Sequence, residues 1–126
     1  MSVSTFLMQD STTSSVRYSS GWTVARGSGY SGGTEHYATR TSASATYTVK
    51  GARGFAIVSS KASTRGSIRV YVDGRLVATV SERSGTAYKV VVYARGLTYG
   101  ASTSHAIKLV PAGNGRVDLD AFVILR

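Results

Sequence analysis

The 126-residue chain has no cysteine, a single proline, two histidines and only 6 acidic residues against 15 lysines and arginines. The missing cysteine excludes disulfide scaffolds, thiolate metal sites and cysteine nucleophiles together. It leaves the compartment open, because a chain of this length can bury a core without disulfides. No apolar run approaches the roughly 18 residues of a spanning helix, so no membrane span is expected. The opening MSVSTFLMQD carries neither a basic start nor a long apolar stretch and is not a secretory signal. Neither His36 nor His105 lies in a metal-binding pair or near a nucleophile-elbow motif. A glycosidase needs two carboxylates facing each other across a cleft, and nothing in the spacing of Glu35, Glu82 and the aspartates indicates such a pair. The expectation from this scarcity is a chain that is not an enzyme.

What is present is β structure. Residues 64–81 read TRGSIRVYVDGRLVATVS, two β-rich runs around Asp73-Gly74. A two-residue Asp-Gly connection suits a type I′ hairpin turn, whose two central residues both take positive φ. Pairing across it sets Val72 opposite Arg75, Tyr71 opposite Leu76 and Val70 opposite Val77. Further strands are predicted at 16–19, 22–25, 43–49, 55–59, 67–72, 75–80, 89–93, 106–110 and 117–125. Their spacing of about 8 to 12 residues is that of a sandwich or barrel. Helical and doubly wound folds are excluded, and Pro111 falls where a strand should end. In 117–125, Val117, Leu119, Ala121, Val123 and Leu125 form one uniformly apolar face. Asp118 and Asp120 precede Phe122 and Ile124 on the other, which predicts a strand that begins at the rim. Residues 10–126 read as one β-sandwich domain, and 1–9 as an N-terminal segment or linker remnant.

The candidate chemistry lies in a glycine-rich loop, RGSGYSGGTEHY, at residues 26–37. Its Gly27-x-Gly29-x-x-Gly32 spacing matches a dinucleotide fingerprint, but no strand–helix unit surrounds it and the match is discarded. Tyr30 and Tyr37 in this loop, with His36 and Arg40 beside them, have the chemistry of a sugar site. Flat C–H faces of sugars stack on aromatic rings, and polar side chains bind the hydroxyls. Trp22 is a further candidate contact, with a place as a core plug between the sheets as the alternative. Asp10, Asp118 and Asp120 are candidate oxygen ligands for calcium; the alternative is that Asp120 accepts backbone N–H groups and locks a loop. The formal charge of +9 draws the chain toward acidic partners. The cations are scattered singly with no basic-aromatic cluster, which disfavours nucleic acid and fits a diffuse solubilising surface.

Several of these pieces, YSSGW at 18–22, GYSGG at 29–33, ATYTV at 45–49, Arg65-Gly with VYVDG at 70–74, and RVDLDAF at 116–122, resemble the galactose-binding-like jelly-roll domains. That superfamily includes many carbohydrate-binding modules of secreted bacterial hydrolases and surface proteins. The resemblance covers about residues 10–125. It implies an all-β, two-sheet antiparallel jelly-roll β-sandwich, with a structural calcium near the first and last strands at Asp10 and Asp120. It also implies glycan sites in end loops or on a concave sheet face. The reading is a non-catalytic module that binds a glycan, acidic ones included. Such a module would be secreted or on the cell surface and fused to a catalytic or surface domain. The alternative is a structural or assembly module of a larger surface, phage-tail or enzyme protein with no small ligand.

Overall fold

The structure is a computed structural model that describes residues 6–10 and 15–126. Twelve strands follow one another: β1 (Phe6–Asp10), β2 (Val16–Tyr18), β3 (Thr23–Arg26), β4 (Thr34–Ala38), β5 (Ala45–Lys50), β6 (Gly54–Lys61), β7 (Ser67–Val72), β8 (Arg75–Ser81), β9 (Ala87–Gly96), β10 (Ser104–Pro111), β11 (Val117–Leu119) and β12 (Ala121–Leu125). A four-stranded sheet runs β1-β12-β6-β9 and a five-stranded sheet β2-β5-β10-β7-β8. A three-stranded sheet, β11-β4-β3, adjoins them. Neighbouring strands are antiparallel throughout. The all-β jelly-roll sandwich expected from the sequence is the fold observed.

The core is the period-2 pattern of the two large sheets turned inward. Tyr47 and Val49 of β5, Ile107 and Leu109 of β10, and Ile68 and Val70 of β7 join Phe55 and Ile57 of β6 and Phe122 and Ile124 of β12 in one buried cluster. The Tyr47 and Phe122 rings lie 5.2 Å apart. Each such aliphatic side chain contributes about 1.5–3 kcal/mol by leaving water.

At the β7–β8 turn both Asp73 (φ 51°) and Gly74 (φ 83°) take positive φ, as a type I′ turn requires. Val72 pairs with Arg75 and Tyr71 with Leu76, but Val70 then faces Ala78, not Val77. The register shift there is a β-bulge, which lengthens β8 by one residue and which side-chain alternation alone does not disclose. The Asp73 carboxylate accepts the Ala106 N–H at 2.9 Å and meets His105 Nδ1 at 2.6 Å, while His105 Nε2 lies 2.8 Å from the Thr98 carbonyl. Both ring nitrogens therefore face pure acceptors, and these bonds raise the His105 pKa above its ordinary value.

Two expectations change. Residues 34–37, read as part of the glycine-rich loop, belong with Ala38 to β4; polar residues on both faces of the strand hide its alternation. The segment 117–125 is broken at Asp120 into β11 and β12, which belong to different sheets. Val117 and Leu119 point into the core before the break, Phe122 and Ile124 after it. The inward phase slips by one residue as the chain crosses between sheets, so the uniform apolar face is not formed and Asp118 is buried, not at the rim.

Replacing Gly74 by valine is expected to cost about 1–3 kcal/mol, because a β-branched residue is strained at this positive φ. Urea denaturation checks this, with Gly74→Asn expected to lose markedly less.

Candidate functional site

Glu35, Glu82, Asp118 and Asp120 are all fully buried. Charged groups enter an interior only when paired or hydrogen-bonded, and the partners are at hand. Asp118 is ion-paired to Arg65 through one oxygen and to Arg116 Nε at 2.8 Å through the other. Arg116 reaches Glu35 at 3.5 Å, and its guanidinium carbon sits 3.8 Å from the centre of the Tyr37 ring. Glu35 also accepts Ser60 Oγ–H at 2.9 Å and the Tyr30 hydroxyl. The pairing of Asp118 with Tyr37 across β11 and β4 places these groups on one side of the small sheet.

Glu82 closes the cluster from behind. Its Oε1 accepts the Asp118 N–H at 2.6 Å, and its Oε2 lies 2.6 Å from Ser59 Oγ, which also bonds the Asp118 carbonyl. A serine hydroxyl has one proton, and a carbonyl can only accept. If Ser59 donates to Asp118, the proton between Ser59 and Glu82 comes from Glu82, which is then a neutral acid. Burial acts in the same direction, pushing the Glu82 pKa up to about 8. Burial and then the Asp118 charge push Glu35 up to about 7.

Above this cluster lies the first part of the glycine-rich loop. A 3₁₀ turn at Ser31–Gly33 folds it back, with Gly27 N–H bonded to the Gly33 carbonyl at 2.9 Å. Both Asp120 oxygens accept the Ser31 N–H, at 2.8 and 3.1 Å. This anchors the loop to the β11–β12 break. A Cβ on Gly29 would lie 2.9 Å from Tyr88 Cγ, so the Tyr88 ring of β9 rests directly on that backbone. Tyr30 and Tyr88 meet edge to face at 5.8 Å. Arg26, Gly27, Ser28, Gly29, Tyr30 and Tyr88 line a cleft of about 420 Å³, and Tyr88 is 54% exposed. A second concavity of about 360 Å³, at the Gly54–Gly96 end of the four-stranded sheet, is walled mainly by apolar groups such as Ala56, Ala94 and Val123. It offers fewer polar groups for a polyhydroxylated ligand.

The structure separates the residues that the sequence grouped. Tyr30 lines the cleft. Tyr37 lies beneath Arg116. His36, one residue along β4, points to the opposite face, where it stacks on Tyr18 at 4.0 Å; burial lowers its pKa. Trp22 joins that second group, edge-on to Tyr18 at 5.3 Å, with its indole N–H donated to the Ser44 carbonyl at 3.1 Å. It packs against the core while remaining half-buried. Arg40 is exposed on the turn after β4, where its carbonyl accepts the Ala43 N–H. The backbone of Asp10 pairs with Ala121, beside Asp120, and the Asp10 side chain lies outside the described residues. Among the described residues no three His, Cys, Asp or Glu side chains converge to hold a metal. Calcium would need six or more oxygens. The place of Tyr88 in the site escaped the sequence because its meeting with Gly29 and Tyr30 is a tertiary contact between distant segments. The burial of Glu35, Glu82 and Asp118 escaped because isolated carboxylates look like surface residues, whereas Asp120 has the role the sequence offered as the alternative to calcium, accepting a backbone N–H and locking a loop.

No family model matches the sequence, and no curated protein does. Solved structures do resemble it. An exo-β-1,3-galactanase from Phanerochaete chrysosporium, in complex with β-1,3-galactotriose, superposes with a TM-score of 0.72 at 21% identity, over 99% of this chain and 30% of that one. The Agl-KA catalytic domain follows at 0.67 and 14%, over 94% and 27%. A family two carbohydrate esterase from Cellvibrio japonicus gives 0.65 and 12%, over 98% and 34%. The chain thus spans about a third or less of each, and at these identities the likeness is one of fold. The expectation that the chain is not an enzyme is overturned here, because these neighbours are glycoside hydrolase and esterase structures, some described as catalytic domains.

The raised pKa values of Glu82 and Glu35 predict how stability follows pH. Both acids have folded pKa values above the ordinary 4.5, so the folded state holds more protons than the unfolded state from about pH 4.5 to 8. Stability is then greatest at the acidic end and falls as pH rises through that window. Glu82→Gln, which reproduces the neutral acid's donor and acceptor, is expected to fold and to flatten the fall in a Tm-versus-pH series. Asp118→Ala removes the carboxylate partner of Arg65 and the closer of the two partners of Arg116, and should cost about 3–5 kcal/mol in urea denaturation.

Proposed function

We propose that this chain is a jelly-roll domain of a carbohydrate-active protein acting outside the cell, and that it holds a glycan in the cleft between the 26–30 loop and Tyr88. The observation that carries this reading is the exposed Tyr88 ring, fixed edge to face against Tyr30 on a glycine bed beside Arg26. Tyr88 offers an apolar face for sugar C–H groups, while Arg26, Ser28 and the loop backbone offer hydrogen bonds to hydroxyls. Tyr30 is held from below by Glu35, and the loop by Asp120. Binding therefore orders little that is not already ordered, which lowers its entropic cost. The carbohydrate-active nature of the structural neighbours supports the ligand class, and the small fraction of each that this chain spans supports fusion to a larger protein.

Affinity electrophoresis through gels containing a β-1,3-galactan or an α-1,3-glucan tests the proposal, with release of reducing sugar measured on the same preparations. Tyr88→Ala, at an exposed position, should fold normally and weaken retention by roughly tenfold, the worth of about 1.4 kcal/mol of lost stacking. Retention equal to that of the unaltered chain would remove the cleft as the binding site.

A further inference from the structure

The acids that the fold draws inward are missing from its surface. Of the five whose side chains are described, four are fully buried and the fifth, Asp73, is tied to Ala106 and His105 at the end of a hairpin. The outward face of the five-stranded sheet shows the result. Reading across it, Arg17 of β2 pairs with Thr46 of β5, Thr46 with Lys108 of β10, Lys108 with Tyr71 of β7 and Tyr71 with Leu76 of β8. Because opposite residues on antiparallel strands point to the same side, these side chains form one continuous row. Arg69 stands diagonally from Lys108, about 7–8 Å away. Arg17, Arg69 and Lys108 are exposed and have no carboxylate partner among the described residues. The Lys108 ammonium lies 5.7 Å from the Tyr71 ring centre. Thr48 and Thr79 add hydroxyls on the same side, and the one described acid with an exposed side chain, Asp73, lies at the hairpin end bonded to Ala106 and His105.

We propose that this sheet face, centred on Arg17, Arg69, Tyr71 and Lys108, is a second binding surface whose ligand is a carboxylated polysaccharide. The carbohydrate nature of the ligand rests on the reading above; its negative charge rests on this face alone. Charge complementarity is the argument for the occupant. Three cations without a carboxylate partner among the described residues, spaced over four strands, suit a polymer with separated single charges, and threonine hydroxyls and one tyrosine suit its sugar rings. Nucleic acid fits less well, since it presents a denser line of charge and is gripped by several stacking aromatics or a deep basic groove.

The test compares retention on polygalacturonate, on the same polymer fully methyl-esterified, and on duplex DNA, at two salt concentrations. Arg69→Glu/Lys108→Glu should reduce polygalacturonate retention at least about tenfold and make the remainder nearly insensitive to salt. Arg53→Glu/Arg95→Glu, an equal charge change beside the other sheet, should change it far less. Tyr88→Ala should leave it intact, which separates this surface from the cleft. Circular dichroism confirms the fold, and Arg69→Gln/Lys108→Gln replaces the reversal if that variant unfolds. Equal losses in the two arginine- or lysine-reversed proteins would overturn the proposal in favour of net charge. Equal retention of the methyl ester would also overturn it, as would tighter binding of DNA through the same residues.

Discussion

Asp118 lies inside the protein between two arginines, with Glu82 behind its backbone and Glu35 one guanidinium away. A carboxylate there is tolerable only because Arg65 and Arg116 neutralise it, while serine hydroxyls serve its neighbours, Ser60 bonding Glu35 and Ser59 bonding Glu82 and the Asp118 carbonyl. The groups involved come from β4, β6, β11, the residue before it, the 62–66 turn and the residue that follows β8, so the cluster ties the small sheet to parts of the chain it does not pair with. Its effect reaches the surface through two side chains. Arg116 supports the Tyr37 ring, and Glu35 holds the Tyr30 hydroxyl. The glycine-rich loop is thereby placed against Tyr88, and the cleft exists because the network beneath it is closed.

The same arrangement shapes the outer electrostatics. A formal charge of +9 understates the asymmetry, since the buried acids are already matched inside and offer little to a partner. Arg17, Arg69 and Lys108 on the sheet face have no carboxylate partner among the described residues. Exposed charges of one sign attract anionic polymers at a distance and lose that attraction in salt. The interior and the surface are two outcomes of one choice: the few acidic residues serve the fold.

Much of the architecture was legible. Asp73-Gly74, period-2 alternation and turn spacing led to an antiparallel sandwich, and the first two pairs of the hairpin follow directly from the turn. The bulge at Val77 of β8 was not legible, because an inserted residue leaves no mark on the alternation of a strand whose residues are partly exposed on both sides. Strand β4 was hidden for a related reason: Thr34, Glu35, His36 and Tyr37 are all polar or amphipathic, whether they face the acid cluster or the Tyr18 stack. For the candidate site, Tyr30 and the glycine-rich loop could be read as promising, whereas Tyr88 belongs to a remote strand and its role depends on touching Gly29. His36 and Tyr37, adjacent in sequence and grouped on that ground, are on opposite faces of β4.

By itself the sequence determined the local backbone: which runs extend, where positive φ is needed, and which side of most strands is apolar. These properties depend on a residue and its near neighbours, through sterics and side-chain period. Only the tertiary structure decided where the carboxylates lie, because an aspartate's burial depends on whether arginines from distant segments arrive to meet it. Asp118 and Arg116 are two residues apart, yet Asp118 is buried only once Arg65 and Glu82 close over it. The break at Asp120, which reverses the inward phase of the last strand, was decided in the same way. There the chain crosses from one sheet to another, and the packing of two layers overrides the alternation of a single strand.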